Sequence, residues 1–440
     1  MAEALLVAGG HVVGTSSVHR ADVLVVDGKI AAVGTSIEVP AGTRVLDAAG
    51  CWVGPGLVDL HTHLREPGGE EAETVASGSW AAVAGGYTAV VAMPNTMPAA
   101  DCAAVVAQVI ALGRDTPIDV LPAGAITVAR EGAKLAPMAE MAALGVTIFT
   151  DDGTGVQDAG LMRRAMEYAH GLGVTLAEHC EDESLAAGGC MNESALSARL
   201  GLVGRPAIAE EAMVARDLLL AEITGCSLHL LHLSTARSVA LVTDARAAGV
   251  AVTAEVAPHH LTLTEELCAD FDTVFKVHPP LRGAKDVEAL REALADGRLD
   301  AVATDHAPHS PQAKDRPFDE AAPGMLGLET AIALSIEALG GPDADPVRVF
   351  EVLSRAPSRI AGLTARDERR GGFGSHGGSI EPGEDANLCV LDPAARPVVD
   401  PAALQSRSSN TPYAGRTLLA GVRHTVAKGL AVKLDGEVAR

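Results

Sequence analysis

Eight short apolar runs recur through the middle of the chain, and between most of them lies a longer segment with the pattern of a helix. The runs lie near GLVDLHTH (56–63), YTAVVAMP (87–94), PIDVLPAG (117–124), VTIFTDD (146–152), VTLAEH (174–179), SLHLLHLS (227–234), VAVTAEVAP (250–258) and DAVATDH (300–306). Short continuous apolar runs bounded by turn residues read as strands buried on both faces, the pattern of parallel strands covered by helices. Ala207 to Ala221 is one of the intervening helical segments. Eight strand–helix units predict an α/β fold, a (β/α)8 TIM-type barrel whose chemistry sits at the C-terminal ends of its strands. An open doubly wound sheet is the alternative, and the lack of G-x-G-x-x-G after the first strand weakens it.

The two ends of the chain read differently. Ala21 to Gly34 is two apolar runs around Asp27-Gly28, a dipeptide suited to the positive φ angles of a tight hairpin. ANLCVLD (386–392) and HTVAKGLAVKLDG (424–436) are further short strands with turn residues between them. Both ends together predict a small β-sandwich domain, residues 1–55 plus 380–440, beside a barrel over 56–379. A length of 440 residues suits that division. Aromatic residues are 2% of the chain against 48% apolar, so the core must be packed from Ala, Val and Leu.

A formal charge of −23 argues against nucleic acid and anionic membranes as partners. It leaves room for a small anionic substrate held by a local Arg or metal. Seven Cys without any C-x-x-C pair read as reduced thiols of a cytoplasmic protein. No signal peptide and no membrane span is expected.

Polar residues gather where the apolar runs end. His61 and His63 close the first run, Asp151 and Asp152 the fourth, and His179 the fifth. His232 lies near the end of the sixth and Asp305 near the end of the eighth. Barrel geometry would bring these ends to one mouth. Residues i and i+2 of a strand share a face, so the two imidazoles of His61-Thr-His63 can reach one cation. Zinc accepts His nitrogen and carboxylate oxygen. Six such ligands suggest two zinc ions per chain, sharing a bridging carboxylate and a bridging hydroxide. One of Asp151 and Asp152 could instead cap a helix. Asp305 could both ligate metal and shuttle a proton. Arg65 could clamp a substrate carboxylate, or pair with Glu66 or Glu70 at the surface. His229, His259 and His260 have no spacing that ties them to the cluster and read as structural. Cys180 reads as packing.

The stretches GLVDLHTHLREPG (56–68), AMPNTMP (92–98), FTDDG (149–153), AEHCED (177–182), LHLST (231–235), TAEVAPHHL (253–261), HPPLR (278–282) and TDHAPH (304–309) resemble the class I dihydroorotases of the amidohydrolase superfamily. The resemblance runs over nearly the whole chain. It implies reversible hydrolytic ring opening of L-dihydroorotate to N-carbamoyl-L-aspartate in de novo pyrimidine (UMP) biosynthesis. His61 and His63 match the first metal's pair, His179 and His232 the second's, and Asp305 the catalytic Asp that also ligates metal. Relatives with a carbamylated Lys as the bridge have no counterpart here. Asp152 matches the subgroup in which an Asp bridges the metals. Arg65, Asn95 and His309 match groups that hold the substrate, with His63 beside them. Pro323 and Gly324 match contact positions on a covering loop, 307–327. His278 stands where relatives usually have an Asn that holds the substrate ring.

The rival readings are a hydantoinase or allantoinase on the same scaffold, and a non-catalytic partner of aspartate transcarbamoylase. Retention of all six ligand candidates argues against the second, although some family members do associate with that enzyme. A homo-oligomer is expected.

Overall fold

The computed structural model describes residues 4–365 and 372–439; the rest of the two expected domain ranges, residues 1–3, 366–371 and 440, lies outside the described residues. Each of the eight apolar runs contains a strand. They are β1 (Leu57–Thr62), β2 (Tyr87–Ala92), β3 (Asp119–Pro122), β4 (Ile148–Phe149), β5 (Thr175–Glu178), β6 (Ser227–Leu230), β7 (Val252–Val256) and β8 (Ala301–Val302). Neighbours pair in parallel within two groups, β1-β2-β3 and β4-β5-β6-β7-β8. Parallel bridges Gly124–Phe149 and Thr62–His306 join the groups at both edges. The ring therefore closes as a (β/α)8 barrel. The helical segment after residue 206 runs Ala207–Thr224.

The packing follows the composition. Val58, Leu60, Ala89, Val91, Leu121, Ala123, Ile148, Ala177, Ala301 and Ala303 form one buried cluster drawn from six of the eight strands. Small and branched aliphatic side chains suit the interior of an eight-stranded barrel, which is filled by side chains in layers. A larger cluster packs helices against strands.

The seam between β1 and β8 is fastened by a buried carboxylate. Asp59 accepts the Thr304 N–H at 2.7 Å and the Thr304 hydroxyl at 2.6 Å, and it also accepts the Thr62 hydroxyl. Burial, only partly offset by these bonds, pushes the Asp59 carboxyl up to about 6. The pairing of β1 with β2 slips between Asp59 and Thr62. Leu60 still belongs to the inner cluster while His61 turns to the polar one, so the slip serves both.

Strands from both ends of the chain build one nine-stranded sheet. Trp52–Pro55 pairs in parallel with Ala4–Val13 and antiparallel with Leu388–Asp392. Val18–Val26 and Lys29–Gly34 form the expected hairpin, with Asp27 and Gly28 at φ 51 and 79. Leu5, Val23, Val25, Val53, Leu388 and Val426, from strands of both ends, share a single buried core. Among the described residues no helix is long and apolar enough to cross a membrane.

Removing the seam carboxylate has a calculable cost. Asp59→Ala leaves the buried Thr304 N–H unpaired and should lower the unfolding free energy by about 1–3 kcal/mol. Urea denaturation of the metal-free protein measures this, and an unchanged midpoint would deny Asp59 its role in the seam.

Candidate metal centre and active site

Six polar side chains meet at the C-terminal mouth of the barrel. His61 is the last but one residue of β1 and His63 directly follows the strand, Asp152 lies three residues past β4, and His179 directly follows β5. His232 lies two residues past β6 and Asp305 three past β8. All six are buried, none more than 5% exposed. Asp152 sits at the centre. Its Oδ2 is 3.3 Å from His61 Nε2 and 3.5 Å from His63 Nε2. Its Oδ1 is 3.6 Å from both His179 Nδ1 and His232 Nε2. One carboxylate oxygen thus faces each imidazole pair. Asp305 Oδ1 lies 3.2 Å from His63 Nε2 and 3.7 Å from His61 Nε2.

These donors fit a metal. The ligand atoms of His61, His63 and Asp152 lie within 4.8 Å of one another, as do those of Asp152, His179 and His232. Tetrahedral ligands bound about 2.0–2.1 Å from zinc stand about 3.3 Å apart, close to the His–Asp152 distances here. His61 Nε2 is buried without any hydrogen-bond partner. A lone pair in that state, aimed at a carboxylate and other imidazoles, has a cation as its natural partner. Burial opposes ionisation of Asp152, yet the surrounding imidazoles, His61 first, hold it well below the usual carboxylate range. Asp305 is likewise buried and is held low first by its bond to His63.

The two aspartates after β4 divide their tasks. Asp151 caps no helix. Its Oδ1 accepts the N–H groups of Ile126 at 2.9 Å and Thr127 at 3.0 Å, and its Oδ2 accepts the Thr127 hydroxyl. It ties the loop after β3, which leaves Asp152 free to enter the cluster. The next helix, Ala159–Leu172, is capped by Asp158.

Beside His63 stands a second group. His63 Nδ1 lies 2.9 Å from Asn95 Oδ1. Arg65 donates from Nε to the Pro308 carbonyl at 3.2 Å, and its Nη2 lies 3.5 Å from His309 Nε2. The Pro323 carbonyl only accepts, so His309 Nε2 carries a proton and donates to it at 2.7 Å. That leaves the Arg65 terminal N–H groups without an acceptor there. Neither Glu66 nor Glu70 pairs with Arg65; Glu66 accepts the Val75 N–H and Glu70 the Gly68 N–H. Among the described residues no carboxylate reaches ion-pair distance of Arg65. Burial lowers its pKa only to about 10, so it stays charged. Burial, helped by Arg65, pulls His309 down to about 3, so that imidazole is neutral.

The 307–327 loop lies against this group. Asn410 holds it from far along the chain, donating to the carbonyls of Ala307 at 3.0 Å and Gly324 at 3.2 Å. The buried Lys314 Nζ donates to the carbonyls of Thr273 and Ala322, each at 2.9 Å. Gly324 has φ 131, and a Cβ there would stand 2.6 Å from the Ala307 Cβ and 2.9 Å from His309 Nε2. Only glycine lets the loop approach His309 this closely. His278 sits in the field of Arg205, Glu181 and His179; burial first, then Arg205, lowers it to about 3. Arg65, His232 and Asp305 have φ 61, 31 and 46, left-handed backbone that residues with a Cβ rarely adopt and that gathers at functional sites.

Sequence reasoning missed Glu255. It lies inside β7, where its neighbours Val252, Ala254 and Val256 are apolar, and that lone acidic residue in an apolar run was the available signal. Its Oε1 is 3.1 Å from His61 Nδ1 and its Oε2 is 3.0 Å from His229 Nε2. His229, read as unconnected, is therefore joined to the cluster. His260 keeps its structural reading, bonded at 3.0 Å to the Pro279 carbonyl. A cavity of about 700 Å³ lies elsewhere, lined by Glu329, Val399 and Lys433 among others, and holds none of the expected residues.

Comparison with known proteins agrees with this geometry. The Dihydro-orotase-like family model matches residues 50–238. A dihydroorotase of Pelotomaculum thermopropionicum is 47% identical over 434 residues, covering 98% of this chain and 99% of that one. A dihydroorotase of Streptomyces coelicolor is 49% identical over 421 residues, covering 95% and 96%. The chain belongs to the dihydroorotase family. Among solved structures, an L-hydantoinase (dihydropyrimidinase) from Arthrobacter aurescens aligns over 100% of this chain and 98% of its own, with TM-score 0.88 and 25% identity. The dihydroorotase-family chain thus shares its barrel-plus-sheet architecture with hydantoinases.

The division of Asp152 between two imidazole pairs makes a testable demand. Asp152→Ala should weaken metal binding at both pairs by more than about tenfold, since both lose their shared ligand. Metal analysis of the isolated protein checks it, and full metal content in the variant would exclude a bridging role.

Proposed function

We propose that the chain is a dihydroorotase that interconverts L-dihydroorotate and N-carbamoyl-L-aspartate, with ring closure as the direction that serves pyrimidine biosynthesis. The observation that carries this reading is Arg65, a charged guanidinium beside the imidazole cluster with no carboxylate partner among the described residues. Such a group calls for an anionic ligand. Dihydroorotate brings a free carboxylate, whereas a hydantoin ring brings none.

Two zinc ions held by His61, His63, Asp152, His179, His232 and Asp305 would polarise the ring carbonyl and lower the pKa of the attacking water. Arg65, with Asn95 and His309, holds the substrate carboxylate and so brings the reacting carbon to the cluster. His63, bonded to Asn95, links the two groups. Pro323 and Gly324 cover the site, and His278 faces the ring as a neutral imidazole. Asp305 accepts the proton of the attacking water and returns it to the departing ring nitrogen. In ring closure it takes that proton from the attacking nitrogen.

About two zincs per chain, as a bridged pair requires, should accompany hydrolysis of L-dihydroorotate that a chelator abolishes. Zinc without turnover on this substrate, but with turnover of hydantoin, would move the chain to the hydantoinases. Asp305→Ala should lower kcat by about 10²- to 10⁴-fold with most of the metal retained. Near-normal turnover would remove Asp305 from the proton's path. Arg65→Gln should lower kcat/KM for dihydroorotate by about 10- to 100-fold, the worth of a charged hydrogen bond. An equal kcat/KM in that variant would show that the carboxylate is held elsewhere.

A further inference from the structure

The ring nitrogen of His61 that points away from the donor cluster has a partner of its own. Nδ1 lies 3.1 Å from Glu255 Oε1. A carboxylate only accepts, so Nδ1 carries a proton, and in the neutral imidazole Nε2 is the nitrogen left to present a lone pair toward Asp152 and Asp305. The other oxygen of Glu255 lies 3.0 Å from His229 Nε2, which must donate for the same reason. His229 Nδ1 is then an acceptor, and it receives the Thr253 hydroxyl at 2.8 Å. Glu255 and His61 are fully buried and His229 is 1% exposed. Glu255 Oε1 also accepts the backbone N–H of His232 at 3.4 Å.

A carboxylate placed in the barrel wall costs free energy unless its bonds compensate, and an apolar residue would pack there without that cost. Every side-chain bond of Glu255 runs to a cluster histidine or to the histidine that holds Glu255 itself. We propose that Glu255, fixed in turn by His229 and Thr253, is a positioning residue that locks the tautomer and ring plane of His61 and so sets the zinc affinity of the His61/His63 pair. The inference rests on the reading that the cluster holds zinc. Its physical basis is general: a ligating histidine whose second nitrogen donates to a carboxylate is held in the binding tautomer and is made more basic.

The test compares Glu255→Gln, Glu255→Leu and Thr253→Val with the parent enzyme. Zinc affinity is measured by competition with a chromogenic chelator, and thermal stability is measured on each metal-free protein. Glu255→Gln keeps the shape and a neutral acceptor, and should weaken zinc binding about tenfold. Glu255→Leu removes the acceptor and should weaken it towards the upper end of about 10- to 100-fold. Thr253→Val, two bonds further out, should have the smallest effect. The metal-free Glu255→Gln protein should melt close to the parent, a result that a merely structural role would not give. Parent-like zinc affinity in the Gln variant and in whichever other variants fold would overturn the inference. So would a loss of affinity in Glu255→Gln that only tracks a loss of metal-free stability. A parent protein that binds no zinc would overturn the metal reading itself, and this inference with it.

Discussion

A buried carboxylate surrounded by four imidazoles is the feature on which the rest of the molecule depends. The Asp152 oxygens face His61 and His63 on one side and His179 and His232 on the other. These side chains crowd so closely that His179 Nδ1 and His232 Nε2 stand 2.9 Å apart. Converging lone pairs repel unless a proton or a cation lies between them, so the arrangement must be held by something stiff. The closed barrel supplies that stiffness. Four strand ends contribute the five side chains, and β8 adds Asp305, with the β1–β8 seam fastened beside it by Asp59.

The electrostatics of the site run against those of the whole chain. The protein carries a formal charge of −23, yet the Arg65 guanidinium keeps its positive charge beside the cluster. Resolution is local. His309 and His278 are held neutral by burial, whereas Arg65 stays charged. Few bulk ions screen a charge in a partly dehydrated mouth, and at that distance it outweighs a diffuse surface field.

The barrel and the gathering of six polar side chains at its mouth were legible because each lies at or just past the end of an apolar run, and a strand's end has a fixed place in this fold. The choice between Asp151 and Asp152 was open on composition alone; it rests in three dimensions on the N–H groups of Ile126 and Thr127, which Asp151 takes. Glu255 and His229 lie inside strands rather than at their ends, and their bond crosses from one strand to the next, so no spacing reveals it. Asn410 is about a hundred residues from the loop it holds, and side-chain bonds over that range leave no local pattern. The slip in β1 is equally silent, since a bulge changes pairing without changing residue type.

The sheet made from both ends of the chain has a consequence for biosynthesis. Trp52–Pro55 runs almost directly into β1, yet its antiparallel neighbour is Leu388–Asp392. On the ribosome, the strand that leads into the barrel waits for a partner made more than three hundred residues later. A nascent chain at that stage carries an open edge beside a barrel that is already assembling. Such an edge can pair with another unfinished chain as readily as with its own tail. A strand made late is therefore the one that shields an early one from misassembly.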